Sequence, residues 1–189
     1  MAKTFYLISG LVLLLLSVVP LRSGAQTLAL KTNMLYDMLL TPSLSVEGVV
    51  SSHATLNLTG SWMPLRINPD CYWRTFSVQP EFRYWPAVPL AGPFVGVAWQ
   101  YRGFNLGGLS FSHLKDSRSQ GHMQGGGVTL GWHHILTTRW SIEYSLLVGW
   151  AHLKWDYYDS PRSDVVVSHW RANYIGPLDL GLNLVYIIK

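Results

Sequence analysis

The chain has 189 residues, of which 49% are hydrophobic and only 13% charged, with nine Trp and ten Tyr. Soluble domains carry roughly 25% charged residues, so this surface is too apolar for an ordinary secreted β-sandwich. The net charge of +4 forms no basic run, which excludes a nucleic-acid footprint, and the lone Cys71 excludes an intramolecular disulfide.

Residues 1–25 have the pattern of a cleaved secretory signal. Lys3 precedes the apolar run LISGLVLLLLSVVP, and Ser23-Gly24-Ala25 offers small residues for cleavage before Gln26. The run is shorter than the ~20 residues a spanning helix needs, and no second run follows it. The mature domain is therefore expected over residues 26–189.

Eight strands are predicted by period-two alternation. The first, about 27–37, sets Leu28, Leu30, Met34 and Tyr36 against Lys31, Asn33 and Asp37. The second, about 42–51, sets Leu44, Val46 and Val50 against Ser43, Ser45 and Glu47. The third, 53–62, alternates best, with Leu56, Leu58 and Trp62 opposite Thr55, Asn57 and Ser61. The fourth, about 74–85, sets Phe76, Val78 and Phe82 against Gln79, Glu81 and Arg83, and Pro80 inside it demotes the strand or implies a bulge.

The fifth, about 92–106, places Val95, Val97, Trp99 and Tyr101 opposite Gly96, Ala98, Gln100 and Arg102. The sixth, about 122–134, carries Gly125-Gly126-Gly127, a signal for a bend or bulge. The seventh, about 139–155, turns Trp140, Ile142, Tyr144, Leu146, Val148 and Trp150 away from Ser141, Glu143 and Ser145. The eighth, about 170–188, ends in LDLGLNLVYIIK, with Leu178, Leu180, Leu182, Leu184, Tyr186 and Ile188 on one face. Its other face carries Asp179, Gly181 and Asn183, with Val185 and Ile187 breaking the polar pattern.

Alternate connections are short (51–53, 86–91, 135–138), and most of those between them are longer and more polar (63–73, 106–121, 156–169). Short periplasmic turns and long outer loops characterise outer-membrane barrels. The expected fold is an all-β, eight-stranded antiparallel transmembrane barrel in the bacterial outer membrane, with both termini periplasmic. Trp62, Trp85, Trp99, Trp132, Trp140 and Trp150 are expected to anchor the two membrane interfaces. An eight-stranded barrel is filled by its own side chains, and buried charges need partners. Lys31, Glu47, Glu81, Arg83, Arg102, Glu143 and Asp179 are thus expected to form an internal ion-pair network running up the barrel.

LALKTNMLYDMLLTPSLSVE, VQPEFRYW, GFNLGGLSF, GHMQGGGVTLGWHHIL, RWSIEYSLLVGWAHLKWDYY and YIGPLDLGLNLVYIIK together resemble a domain-of-unknown-function family of small exported Bacteroidetes proteins. The resemblance covers essentially the whole mature chain, in order. It implies an outer-membrane β-barrel, often encoded near fimbrial-type surface proteins, and brings no catalytic residues. This chain has a short loop after Trp62 and lacks the cysteine pair some relatives carry in the fourth outer loop.

Two chemical readings compete with a non-enzymatic surface role. His113, His122, His152 and His169, with Asp116, Asp156, Asp159 and Asp164, could converge on a divalent cation at the rim, but no H-E-x-x-H or H-x-x-x-H pair supports it. Ser112-His113 near Asp116 is a candidate pair for a lipid-A-modifying enzyme, yet adjacent strand residues point apart and no G-x-S-x-G elbow is present. His133 and His134 are expected to cap the periplasmic end. Neither cofactor nor metal is expected. Partners are outer-membrane lipid, lipopolysaccharide and a surface or fimbrial protein, with Lys115 and Arg118 of the third loop as candidate surface contacts. A small pore is the remaining alternative.

Overall fold

A computed structural model describes residues 27–68, 71–107, 117–160 and 166–188. Eight strands run in chain order: β1 (Leu28–Asn33), β2 (Ser43–Ser51), β3 (Ala54–Asn68), β4 (Cys71–Tyr84), β5 (Gly92–Gly107), β6 (Arg118–Ile135), β7 (Trp140–Tyr158) and β8 (Ser168–Ile188). One short helix, α1 (Met34–Met38), follows β1. Each strand pairs antiparallel with the next, and β8 returns to β1, so the sheet closes into a barrel without a free edge strand. One end gathers the tight connections and the paired residues Leu28 and Ile188; it is called the turn end here, and the opposite end the loop end.

Alternation puts apolar side chains outside and polar ones inside. Leu44, Leu56, Phe82, Val97, Leu130, Tyr144 and Leu180 are exposed, whereas Ser45, Glu47, Thr55, Glu81, Arg83, Gln100 and Glu143 are buried. This is the reverse of a water-soluble protein, whose charged residues stay at the surface.

Five expectations change. The first strand stops at Asn33, because the Asn33 side chain accepts from the Leu35 N–H at 3.1 Å and starts α1. Met34 and Tyr36 therefore leave the wall. The glycine run makes no bulge, since β6 keeps one register with both neighbours throughout. Its glycines instead permit close strand approach: a Cβ on Gly127 would collide with the Val148 carbonyl oxygen.

The register shifts one strand away, between Leu147 and Val148, where β7 meets β8 at Pro177. Leu178 and Asp179 then both turn inward, so Leu178 joins Ala98, Leu147 and Ala151 in a buried cluster. Pro80 produces no bulge. The β3 ladder passes through it unbroken, and on the β5 side only Gln79 and Pro80 drop out between pairs of the same register. The loop-end connections are shorter than expected, because β3, β6, β7 and β8 extend to Asn68, Arg118, Tyr158 and Ser168.

The walls are unequal in height. β1 has six residues and β8 has 21. β8 pairs with β1 only from Asn183 downward, and the side chain of Asn33 covers the next stretch of its edge. Asn33 donates to the Leu180 carbonyl at 3.1 Å and accepts from the Leu182 N–H at 3.4 Å.

Candidate functional site

The barrel interior is built in layers from inward positions of all eight strands. At the turn end, Ala29, Trp85, Leu90, Phe94, Val185 and Ile187 form an apolar plug. Val185 and Ile187, which break the polar face of the last strand, therefore serve the core. Trp85 is fully buried and not an interface anchor. Its indole packs 4.8 Å from Phe94 and donates to Thr55 Oγ1 at 2.9 Å. Strand parity carries this information, because Trp85 continues the inward series Glu81, Arg83.

Above the plug lies an ionic layer. Arg83 Nη1 reaches Glu47 at 3.1 Å and Glu143 at 3.0 Å, while Nη2 reaches Glu81 at 2.7 Å. Lys31 Nζ pairs with Glu47 and, at 2.5 Å, with Glu143. The guanidinium carbon sits 4.4 Å over the Phe94 ring, so the apolar plug also supports the charge. Thr55 donates to Glu47, Asn57 to Glu81 at 3.3 Å, and Asn183 to Glu143 at 3.1 Å. A lysine and an arginine thus face three carboxylates, all at most 3% exposed. Burial of that kind demands paired and hydrogen-bonded partners, and the layer supplies them.

His133 belongs to this layer too. It is 1% exposed, lies edge-on to Trp85, and places Nδ1 3.3 Å from Glu143 Oε2. An ionised carboxylate only accepts, so Nδ1 carries the hydrogen. The sequence offered the signal in the alternation Thr129, Gly131, His133 opposite Val128, Leu130, Trp132. His134 faces outward and is exposed.

The seven charged residues expected in one column form two groups. Lys31, Glu47, Glu81, Arg83 and Glu143 meet in the ionic layer, whereas Arg102 and Asp179 meet near the loop end, 3.7 Å apart. Uncharged inward residues separate them, including Ser45, Thr59, Gln79 and Gln100 on one side and Ala98 and Leu147 on the other. Tyr36 of α1 completes the upper group. Its hydroxyl donates to Asp179 and accepts from Arg102 Nη2 at 2.6 Å. Burial, reinforced by the Asp179 carboxylate, holds that hydroxyl well above its usual titration range.

The rim residues do not converge. His122 stacks on Tyr101, His152 stacks on Trp150 and bonds Asn173 at 2.8 Å, and His169 bonds Asp156 at 2.5 Å. Among the described residues no group of three or more His, Cys, Asp or Glu is placed to hold a metal ion. Lys115, Ser112, His113, Asp116 and Asp164 lie outside the described residues. Arg118 stands in β6, where it bonds Asn105 at 2.9 Å and Gln120 at 2.7 Å and lies over the Tyr158 ring.

These features define an all-β protein: eight antiparallel strands closed into one ring, charged inside and apolar outside. The chain belongs to the family described as Protein of unknown function (DUF3575), whose model matches residues 11–188. No curated protein and no solved structure matches it.

Proposed function

We propose that this protein is a non-enzymatic barrel of the bacterial outer membrane, exported by a cleaved signal at residues 1–25. Its loops contact a surface or fimbrial protein, and its wall contacts lipid and lipopolysaccharide. The observation that carries this reading is the inverted distribution of polarity. Large apolar side chains are exposed on the outward faces of the strands, while the ionic layer is sealed within.

The heights of the aromatic side chains support it. Trp140 and Trp150 are both exposed on β7, ten residues apart. That separation is about 33 Å along a strand and about 25 Å along the axis at a tilt near 40°, the height of a lipid-facing apolar band. Tyr144 stands four residues above Trp140 and is paired with Trp132, and Trp99 shares the upper row with Trp150 through Gly126. The apolar plug and the ionic layer fill the lumen with side chains, as an eight-stranded barrel does, which favours a structural or interaction role over conduction.

Heat modifiability and protease access on intact cells test the proposal. The expected outcome is a band that migrates faster unboiled, stays in the membrane in carbonate, and is cut only in the connections at 108–116 or 159–167. Release by carbonate with no mobility shift would overturn it.

A further inference from the structure

We propose that the outer wall carries a site for one anionic phospholipid, with its headgroup on a row of basic side chains and an acyl chain in an apolar groove below. The proposal rests on the membrane reading above and adds a lateral site to it.

The row comes from register. His122 of β6 is paired with Lys154 of β7, and Lys154 with Arg171 of β8. Directly paired residues share a face, and this one is outward, because the intervening Leu153 packs on the inner cluster. Three basic residues on neighbouring strands therefore lie side by side. Like charges directly opposite each other destabilise a sheet, so Lys154 facing Arg171 calls for an anion. Among the described residues neither has a carboxylate within ion-pair distance. The neighbouring carboxylate, Asp156, engages His169 at 2.5 Å.

The groove lies four residues down β6. Trp99 and Trp150 flank Gly126 in a single cross-strand row, and Pro80, Phe82 and Val97 continue the lining. A Cβ on Gly126 would stand 2.9 Å from the Trp99 ring, so only glycine leaves this floor open. Four strand residues span about 13 Å along the chain, or about 10 Å along the axis. The basic row thus stands at headgroup height when Trp150 marks the upper edge of the apolar band. Charge above and an apolar channel below match an anionic lipid, and the two features are independent of each other.

The test uses the full mature chain refolded into vesicles, with acyl-brominated phosphatidylglycerol or phosphatidylcholine as the quencher of tryptophan fluorescence. Variants are Lys154→Gln/Arg171→Gln and, to assign the signal, Trp99→Phe/Trp150→Phe. Quenching through Trp99 and Trp150 should favour the anionic lipid by about fivefold per cation, and the double glutamine variant should lose that preference. Trp132 and Trp140, at the other end of the wall, should show no preference in either protein. Strong quenching without an anionic preference would overturn the lipid site and leave the membrane reading intact. Quenching by neither lipid would overturn both. The altered residues lie on the outward face, so heat modifiability should be unchanged in each variant.

Discussion

At the turn end, Glu47 and Glu143 are wholly buried, tied to Lys31 and Arg83, and supported by Trp85 and Phe94. At the loop end, the Arg102 and Asp179 side chains keep 30% and 15% of their exposure and are held by a tyrosine from a helix of only five residues. Both groups are ion pairs on inward strand positions, yet their surroundings differ. Burial makes the lower layer costly to disturb, because a stranded charge there has no access to water. The upper group keeps part of its contact with solvent, which screens it. The contrast places the costlier ionic contacts at the turn end and the cheaper ones at the loop end.

The sharpest way to break this comparison is to remove one cation from each group. Arg83→Met strands Glu81 and unbalances Glu47 and Glu143, and should cost about 3–5 kcal/mol. Arg102→Met should cost no more than about 1 kcal/mol. Urea unfolding in vesicles, followed by tryptophan fluorescence, measures both, and equal losses would refute the contrast. Trp85→Ala tests the plug beneath the layer and should cost about 3–5 kcal/mol through the cavity and the lost bond to Thr55.

The wall can be set against the lumen at one height. Leu56→Arg places charge in the apolar band and should cost about 2–4 kcal/mol, with the penalty falling in thinner bilayers. Thr55→Arg crowds the ionic layer instead, so its penalty should not change with bilayer thickness. A thickness dependence shared by both variants would contradict the facing assignment.

An effect as small as that at Arg102 is expected at Tyr36. Tyr36→Phe removes the hydroxyl that donates to Asp179 and accepts from Arg102, at a part-exposed site, and should cost about 1 kcal/mol. The folded hydroxyl titrates above its unfolded value near 10, so the unfolded chain releases this proton first. Its contribution is therefore complete below about pH 10 and declines as the pH rises further. Stability measured across alkaline pH should fall less steeply in the phenylalanine variant.

Much of this architecture is legible in the chain because a strand repeats every two residues. Thr55, Asn57 and Ser61 against Leu56, Leu58 and Trp62 is a local pattern, and it assigns faces without knowledge of any neighbour. The same rule, carried on from Glu81 and Arg83, would have turned Trp85 inward. A tryptophan count weighted toward membrane interfaces pointed the other way. The single basic residue Lys31 among apolar neighbours likewise signals an inward charge, since a lone cation has no place on an apolar wall.

What alternation cannot supply is how strands slide past one another. The shift between Leu147 and Val148 turns Leu178 inward beside Asp179, against the sequence pattern of its own strand. Asn33 ends β1 early, and this lets α1 bring Tyr36 to Arg102, a residue 66 positions away. The division of seven charges into two groups, and the alignment of His122, Lys154 and Arg171, also follow from register. By itself, then, the sequence determined the strand count, the facing of most residues and the need for buried charges to pair, because these are properties of one strand or of composition. Only the tertiary structure decided which charges meet and where the wall is low, because closing the ring fixes every register at once.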